Sequence, residues 1–433
     1  MLKLKNKKMK RLTILLLLTI TLLSSCSIAG IDTLLTPPRL NEQEEAIELA
    51  LKSAVTGTYR LKYPKEGENL SAFTVADIDG DGTNEAIVFY ERTQISSEDM
   101  SLRLNILDEK KGKWTSVYDY AAPGIEVEQV KIAPIGDSKS KLIVGYSTIN
   151  QNDKILEIYD YVDGKIKPNI SENYSYFRLF STDDLEYNSN NTANDVIIVT
   201  AKNSNSPAKL RRLKYTNSLY YETNIDLSEN ALAPVQVLYE TANKRFYIDM
   251  NIGNNFLQTE IIELKNDNFY DLLYAPPVPE LSNENIQILK QKTIRPTGYL
   301  SGDINNDNII EIPIINTITN SLPLVEWLIY SDKSLETTLT GYYSLANKFA
   351  FVFPPALYDR ILVVEDSITN DFLFNEIGTN KTILRLSIVK NTADKIRDGF
   401  QTVKTIENVN YMIKVNSEYL SFEEASAFFA FNN

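Results

Sequence analysis

The chain has 433 residues, 43% of them apolar and 23% charged, with 44 basic against 57 acidic residues, one cysteine and no histidine. The missing histidine excludes serine-histidine and cysteine-histidine nucleophiles, imidazole bases and histidine-ligated metals, and a lone cysteine excludes an internal disulfide or a thiolate zinc cluster. A net charge of −13 speaks against general nucleic-acid binding, which needs basic patches, and leaves oxygen ligands as the source of any hard-cation chemistry.

Lys3, Lys5, Lys7, Lys8, Lys10 and Arg11 open the chain with no acid among them, and an apolar run follows from Leu12 to Leu23. A basic start with a short apolar run is the pattern of a signal peptide, and 12 apolar residues are too few to span a bilayer that needs ~20. The run ends in Leu23, Ser24, Ser25 and Cys26, which resembles the lipobox of bacterial lipoproteins. That resemblance implies cleavage after residue 25 and lipidation of Cys26, with the bilayer as a partner on the extracytoplasmic face. Without the leader the chain carries 38 basic against 57 acidic residues, or −19, so lipid rather than surface charge is expected to hold it at the membrane.

Residues 26–57 are then read as the lipidated cysteine, a tether containing Thr36, Pro37 and Pro38, and a short helix. Asn41 is its expected cap, Glu42, Glu44 and Glu45 fill the first turn, and Gly57 lies past its end.

From 58 to 345 a period of about fifty to sixty residues runs through the chain. Apolar runs begin at Glu85, Lys141, Asp195, Arg245 and Glu311, which are 56, 54, 50 and 66 residues apart. Each is followed by a polar turn: Glu109 to Gly112, Asp163-Gly164, Thr216 to Ser218, Asn266 to Asn268 and Ser331 to Ser334. A period of this size built from about four strands predicts propeller blades, whereas β-sandwiches need ~100 residues per unit. Mainly β structure is therefore expected, as a propeller of about five four-stranded blades. Pro313 inside the fifth run counts against a central strand there.

The most specific chemistry lies in the loop from Asp77 to Glu85. Oxygen side chains at positions 1, 3, 5 and 9 (Asp77, Asp79, Asp81, Glu85) and the Thr83 carbonyl at position 7 can wrap one Ca²⁺, with Gly82 turning the chain. A strand, not a helix, follows, which sets the loop apart from EF-hands and dockerins. A second copy has Asp303, Asn305, Asp307 and Glu311, with Ile309 at position 7. There Asn305 removes a charge and Asn308 replaces the glycine, so weaker affinity is expected.

These loops and the repeat that carries them resemble the FG-GAP, or VCBS-type, repeats of bacterial surface lipoproteins and of integrin alpha-subunit propellers. The resemblance implies that the side chains at both sets of positions ligate calcium between two strands of a blade, as structural ions. The second unit has lysines at these positions, the third has Asp184, Glu186, Asn188 and Asn190 in a longer loop as a weak candidate, and the fourth lacks the pattern.

Beyond 345 the period stops. Strands are expected at Phe349 to Phe353, Ile361 to Val364, Thr382 to Ile388 and Tyr411 to Val415, then a closing helix capped by Ser421 and Glu424, so residues 346–433 are read as a small α+β domain. Function is expected to be binding, of a protein or glycan that the sequence does not name. The alternative is a carboxylate-dependent extracytoplasmic glycan hydrolase or lyase. No residue stands out as catalytic; Asp183/Asp184 and Glu423/Glu424 are the adjacent acid pairs weighed for that role.

Overall fold

The computed structural model describes residues 40–93, 102–136, 140–150, 153–162, 164–181, 194–217, 219–273, 289, 291–390, 397–416 and 418–431. The leader, Cys26, the tether and the third-unit candidates Asp183, Asp184, Glu186, Asn188 and Asn190 lie outside them. Among the described residues no helix is long and apolar enough to cross a membrane.

Helix α1 spans Glu42–Ala54. Asn41 Oδ1 accepts the Glu44 amide at 2.9 Å and Glu44 Oε2 accepts the Asn41 amide at 3.0 Å, a reciprocal capping box that satisfies two of the free amides at the helix start. Ile47, Leu51 and Val55 follow at four-residue spacing and bury one stripe against Val88, Tyr90 and Trp114. The helix thereby covers the outer face of the first sheet.

Among the described residues six antiparallel sheets follow in chain order. In the first, Tyr59–Lys62 and Phe73–Ala76 share one edge of Glu85–Arg92, which continues to Leu102–Lys110 and Lys113–Ala121. The second runs Glu126–Pro134, Ser140–Ser147, Lys154–Val162, Lys165–Tyr174, and the third Tyr176–Ser181, Asn194–Thr200, Lys209–Thr216, Leu219–Asp226. The fourth is Ala233–Glu240, Arg245–Gly253, Phe256–Lys265 and Asn268–Asp271, with Arg295–Pro296 also on the third strand. The strands on either side of each polar turn pair antiparallel; in the fifth sheet they are its second and third strands. Asn266 and Asp267, and Asp332 and Lys333, have φ between +45° and +66°, the two-residue turn whose twist matches paired strands.

The first four apolar runs are strands buried on both faces, which is why they read as continuous rather than alternating. In the second sheet Leu142, Val144 and Tyr146 face the first sheet's Ile87 and Phe89, while Ile143 faces Val196 and Ile198 of the third. Ile197 and Val199 then meet Phe246 and Ile248 of the fourth, whose Tyr247 meets Ile312 and Leu328 of the fifth. Successive sheets thus stack face to face as propeller blades. First strands gather along one edge, where Lys62 Nζ meets Glu126 at 2.6 Å and Gln236 Nε2 donates to the Ser301 carbonyl at 2.7 Å. The fourth strands of the first and second sheets, and those of the third and fourth, meet along the other edge. The fold is a β-propeller.

The C-terminal part differs in how it is joined. Strand Phe349–Val352, read from sequence as the start of a separate domain, is the fourth strand of the fifth sheet after Ile312–Asn316, Leu324–Ser331 and Ser334–Ser344, and the last strand Phe429–Phe431 pairs with it. The sixth sheet is Ile361–Glu365, Phe372–Glu376, Thr382–Lys390, Val409–Val415 and Gln401–Ile406. Its Val363, Phe374 and Leu386 share one core with Tyr342, Phe349 and Phe351 of the fifth, so the boundary at 345 falls inside a packed unit. Helix α2, Phe422–Ala427, carries the expected capping box of Ser421 and Glu424.

Glu128 fastens the first two sheets at the first-strand edge. It accepts Lys65 Nζ and Lys154 Nζ, each at 2.8 Å. Burial raises its pKa, but the two ammonium groups and the Ser147 hydroxyl outweigh that and hold it down to about 2. A carboxyl depressed in the folded state stabilises fully above its unfolded value near ~4.5 and loses that contribution as pH falls toward 2. Glu128→Gln should therefore melt lower than the parent at pH 7, and the gap should close between pH 4.5 and 2. A gap that stays constant in scanning calorimetry over that interval would overturn the assignment.

Candidate functional site

In the first loop Asp77 sits at the end of Phe73–Ala76 and gathers the turn around itself. Its Oδ1 accepts the Gly80 amide at 2.7 Å and the Asp81 amide at 3.2 Å, and its Oδ2 accepts the Gly82 amide at 3.1 Å. Gly80 (φ +74°) and Gly82 (φ +87°) supply the left-handed conformations this wrapping needs. Glu85 opens the next strand, pairs with Ala76, and folds back so that its Oε2 accepts the Ile78 amide at 2.8 Å.

The second loop repeats three of these bonds with the same atoms. Asp303 Oδ1 accepts the Asp307 amide at 3.0 Å, Asp303 Oδ2 accepts the Asn308 amide at 2.8 Å, and Glu311 Oε2 accepts the Ile304 amide at 2.9 Å. Asn306 (φ +61°) and Asn308 (φ +66°) stand where the first loop has glycines. Gly302 and Glu311 exchange two backbone bonds, as Ala76 and Glu85 pair in the first sheet. In both loops the residue at position 7 gives its amide to the aspartate at position 5: Thr83 to Asp81 at 2.7 Å and Ile309 to Asp307 at 2.8 Å.

Not every expected ligand converges. One carboxylate oxygen from each of Asp77, Asp79 and Glu85 lies within 4.8 Å of the others, and so do those of Asp303, Asp307 and Glu311. Asp81 instead binds the Thr83 hydroxyl at 2.6 Å, which with the amide holds its carboxyl below the usual range. Asn305 lies beside Asp307, donating Nδ2 to Oδ2 at 2.9 Å and accepting the amide at 3.0 Å.

The donor chemistry fits a hard divalent cation. All side-chain donors are oxygen, and the glutamate of each loop is 1% exposed. Burial, with Asp79, Asp81 and Asp108 nearby, pushes Glu85 up to about 7 against the pull of the Ile78 amide. Burial, with Asp307 and Asp303, does the same to Glu311. A cation at either cluster would offset this repulsion. Asp77, Asp79 and Glu85, and Asp303, Asp307 and Glu311, are the residues that would hold it.

The residues at the same place in the other three sheets make inter-strand or inter-sheet contacts instead. Lys141 forms an ion pair with Asp160 and lies 4.6 Å from the Tyr215 ring of the third sheet. Asp195 accepts Arg212 Nε at 2.7 Å in the dry interior. Arg245 donates to the Tyr330 carbonyl at 3.1 Å and sits 5.0 Å from that ring, in the fifth sheet. The acid pair Glu423/Glu424 resolves as helix capping and surface, since Glu424 Oε2 accepts the Ser421 amide at 2.8 Å.

Sequence reasoning missed a recess at the first-strand edge between the second and third sheets. A cavity of about 370 Å³ is lined by Glu66, Gln129, Lys131, Lys154, Tyr176 and Arg178. A second of about 350 Å³ shares Lys154 and Tyr174 with it and continues past Glu172, Lys202 and Arg211. The only trace in the sequence is the alternation Tyr174, Tyr176, Arg178 at the start of a unit. The acids of the second cavity are engaged: Glu172 accepts Arg211 Nη1 at 2.9 Å, and Asp153 accepts the Asn150 side-chain amide at 2.8 Å.

No family model and no curated protein matches the chain. Solved structures that resemble it include a Lactobacillus plantarum protein at 8% identity, covering 73% of this chain and 84% of that one with a TM-score of 0.32. Another is the β-propeller domain of the Trilobed protease from Pyrococcus furiosus, at 8% identity, 73% and 93% coverage, TM-score 0.28. A third is an exo-beta-1,3-galactanase from Phanerochaete chrysosporium, at 8% identity, 80% and 82% coverage, TM-score 0.26. Superpositions this loose do not bear on what the chain does.

Proposed function

We propose that the chain is a membrane-anchored extracytoplasmic lipoprotein whose propeller, stabilised by calcium at FG-GAP-type loops, works as a binding module. The observation that carries the binding role is the recess between the second and third sheets. Its wall combines cations, an amide, aromatic rings and a single carboxylate, Glu66, and the carboxylates of its extension already hold partners, so the recess lacks the pair of free acids that glycan hydrolysis uses and suits recognition. The anchor rests on the residues around Cys26, and calcium on the oxygen clusters of the two loops.

The test is a binding screen of the protein against arrayed cell-wall polymers, glycans and extracellular proteins, with calcium and with chelator. Saturable binding without turnover of the ligand is expected. Release of reducing sugar from any glycan in the array would overturn the binding role in favour of a hydrolase.

A further inference from the structure

We propose that the recess at the first-strand edge of the second and third sheets binds an anionic saccharide residue, a sugar bearing one carboxylate or phosphate group. This rests on reading the propeller as a binding module and is independent of the calcium loops.

The charge pattern of the recess is the first argument. In a chain of net charge −13, Lys131 and Arg178 both face this cavity. Among the described residues neither has a carboxylate partner: Arg178 lies 5.1 Å from the Phe180 ring and interacts with the Tyr176 hydroxyl, and Lys131 makes no ion pair. Lys154 behind them is committed to Glu128 at 2.8 Å. One acid, Glu66, also lines the wall. Two cations without a carboxylate partner against one acid favour a ligand with one anionic group, while the surrounding acidity disfavours a polyanion.

The second argument is that Glu66 and Gln129 make the site unsuited to a bare anion. A carboxylate in the wall repels inorganic phosphate, but it accepts hydrogen bonds from sugar hydroxyls, as the Gln129 carboxamide both donates and accepts. The half-buried Tyr176 ring adds an apolar, hydroxyl-bearing surface on which a sugar ring settles, and Tyr174, 4% exposed, packs behind it. The Tyr174 hydroxyl is buried without a hydrogen-bond partner.

The wall is also held in place before any ligand arrives. The Glu66 amide donates to the Glu128 carbonyl at 2.9 Å and Asn69 Nδ2 to the Val130 carbonyl at 3.1 Å, fixing the 65–70 loop to the second sheet. Gly67 (φ +92°) lets this loop close onto Gln129, since a β-carbon there would come within 2.9 Å of Gln129 Cγ. A fixed wall lowers the ordering cost of binding.

Titration calorimetry of the full chain with glucuronate, glucose 6-phosphate, glucose and inorganic phosphate tests this. Binding of glucuronate, of glucose 6-phosphate or of both is expected, with glucose and phosphate at least about tenfold weaker, and the pattern identifies which anionic group is read. Lys131→Ala combined with Arg178→Ala should weaken the anionic sugar at least about tenfold, with the thermal midpoint unchanged, and Lys131→Arg should retain binding. Exposed Arg178→Ala alone should give an intermediate loss. No binding of either anionic sugar, or binding that the double substitution leaves intact, would overturn the proposal. Glucose binding as tightly as glucuronate would overturn it too, while leaving the binding-module reading standing.

Discussion

Arg295→Ala is expected to be the most damaging single substitution described, costing about 3–5 kcal/mol of unfolding free energy, because it leaves a buried carboxylate without its cation. Both side chains of the pair are at most 1% exposed. Arg295 Nη2 donates to Asp249 Oδ1 at 2.7 Å and to Ser301 Oγ at 3.1 Å, Nη1 to Thr259 Oγ1 and the Thr293 carbonyl at 2.8 Å each, and Nε to the Tyr299 carbonyl at 2.5 Å. Asp249 in turn accepts the Ser301 amide at 2.7 Å. One guanidinium therefore ties two strands of the fourth sheet to the segment that enters the second acidic loop. Lysine has three donors from one point and cannot replace a planar fork serving five acceptors, so Arg295→Lys should recover little of the loss. Urea denaturation of the parent and both variants measures it. A loss below about 1 kcal/mol, the range of an exposed pair, would show the network to be solvated rather than buried.

What the sequence disclosed and what it withheld follow from where each interaction lies along the chain. Glu85–Arg92, Ser140–Ser147 and Asn194–Thr200 were legible because a strand packed on both faces must be apolar throughout. The acidic loops were legible because their ligands and turn residues lie within nine positions of one another. Strands Phe372–Glu376 and Gln401–Ile406 were missed: the first has three apolar residues followed by Asn375 and Glu376, and the second is a polar edge strand with no buried residue. The unity of the fifth and sixth sheets was hidden because its decisive contact, Phe429–Phe431 on Phe349–Val352, joins segments some eighty residues apart. The recess was hidden for the same reason, since Glu66, Lys131 and Arg178 meet only when three sheets stack. The fate of the middle units could be read only in part. A lysine at 141 ruled out a metal loop there, but its pairing with Asp160 and its approach to Tyr215 depend on the register of the second sheet and the packing of the third.

Calcium should raise the thermal midpoint of the parent protein, and Asp79→Ala should remove most of that gain. A ligand bound only by the folded state adds about 2.7 kcal/mol at a hundredfold excess over its Kd, so a shift of this order is expected once the stronger loop saturates. The first loop should be the stronger, since it carries four acids, with Asp81 turned to Thr83 beside the three that converge, whereas the second carries three and has Asn305 in place of an aspartate. The informative comparison is the sign of the effect with and without the ion. In chelator, Asp79 crowds Asp77 and buried Glu85, so its removal should leave the midpoint little changed or slightly higher. With calcium, the same substitution takes away a ligand and should lower the midpoint relative to the parent. Asp303→Ala should remove the smaller remaining part of the gain without affecting the larger one, because the loops lie in the first and fifth sheets and share no residue. A parent midpoint that does not move with calcium would remove the metal assignment from both loops, and their wrapped carboxylates would then serve as turn-formers satisfied by the amides of Gly82 and Asn308.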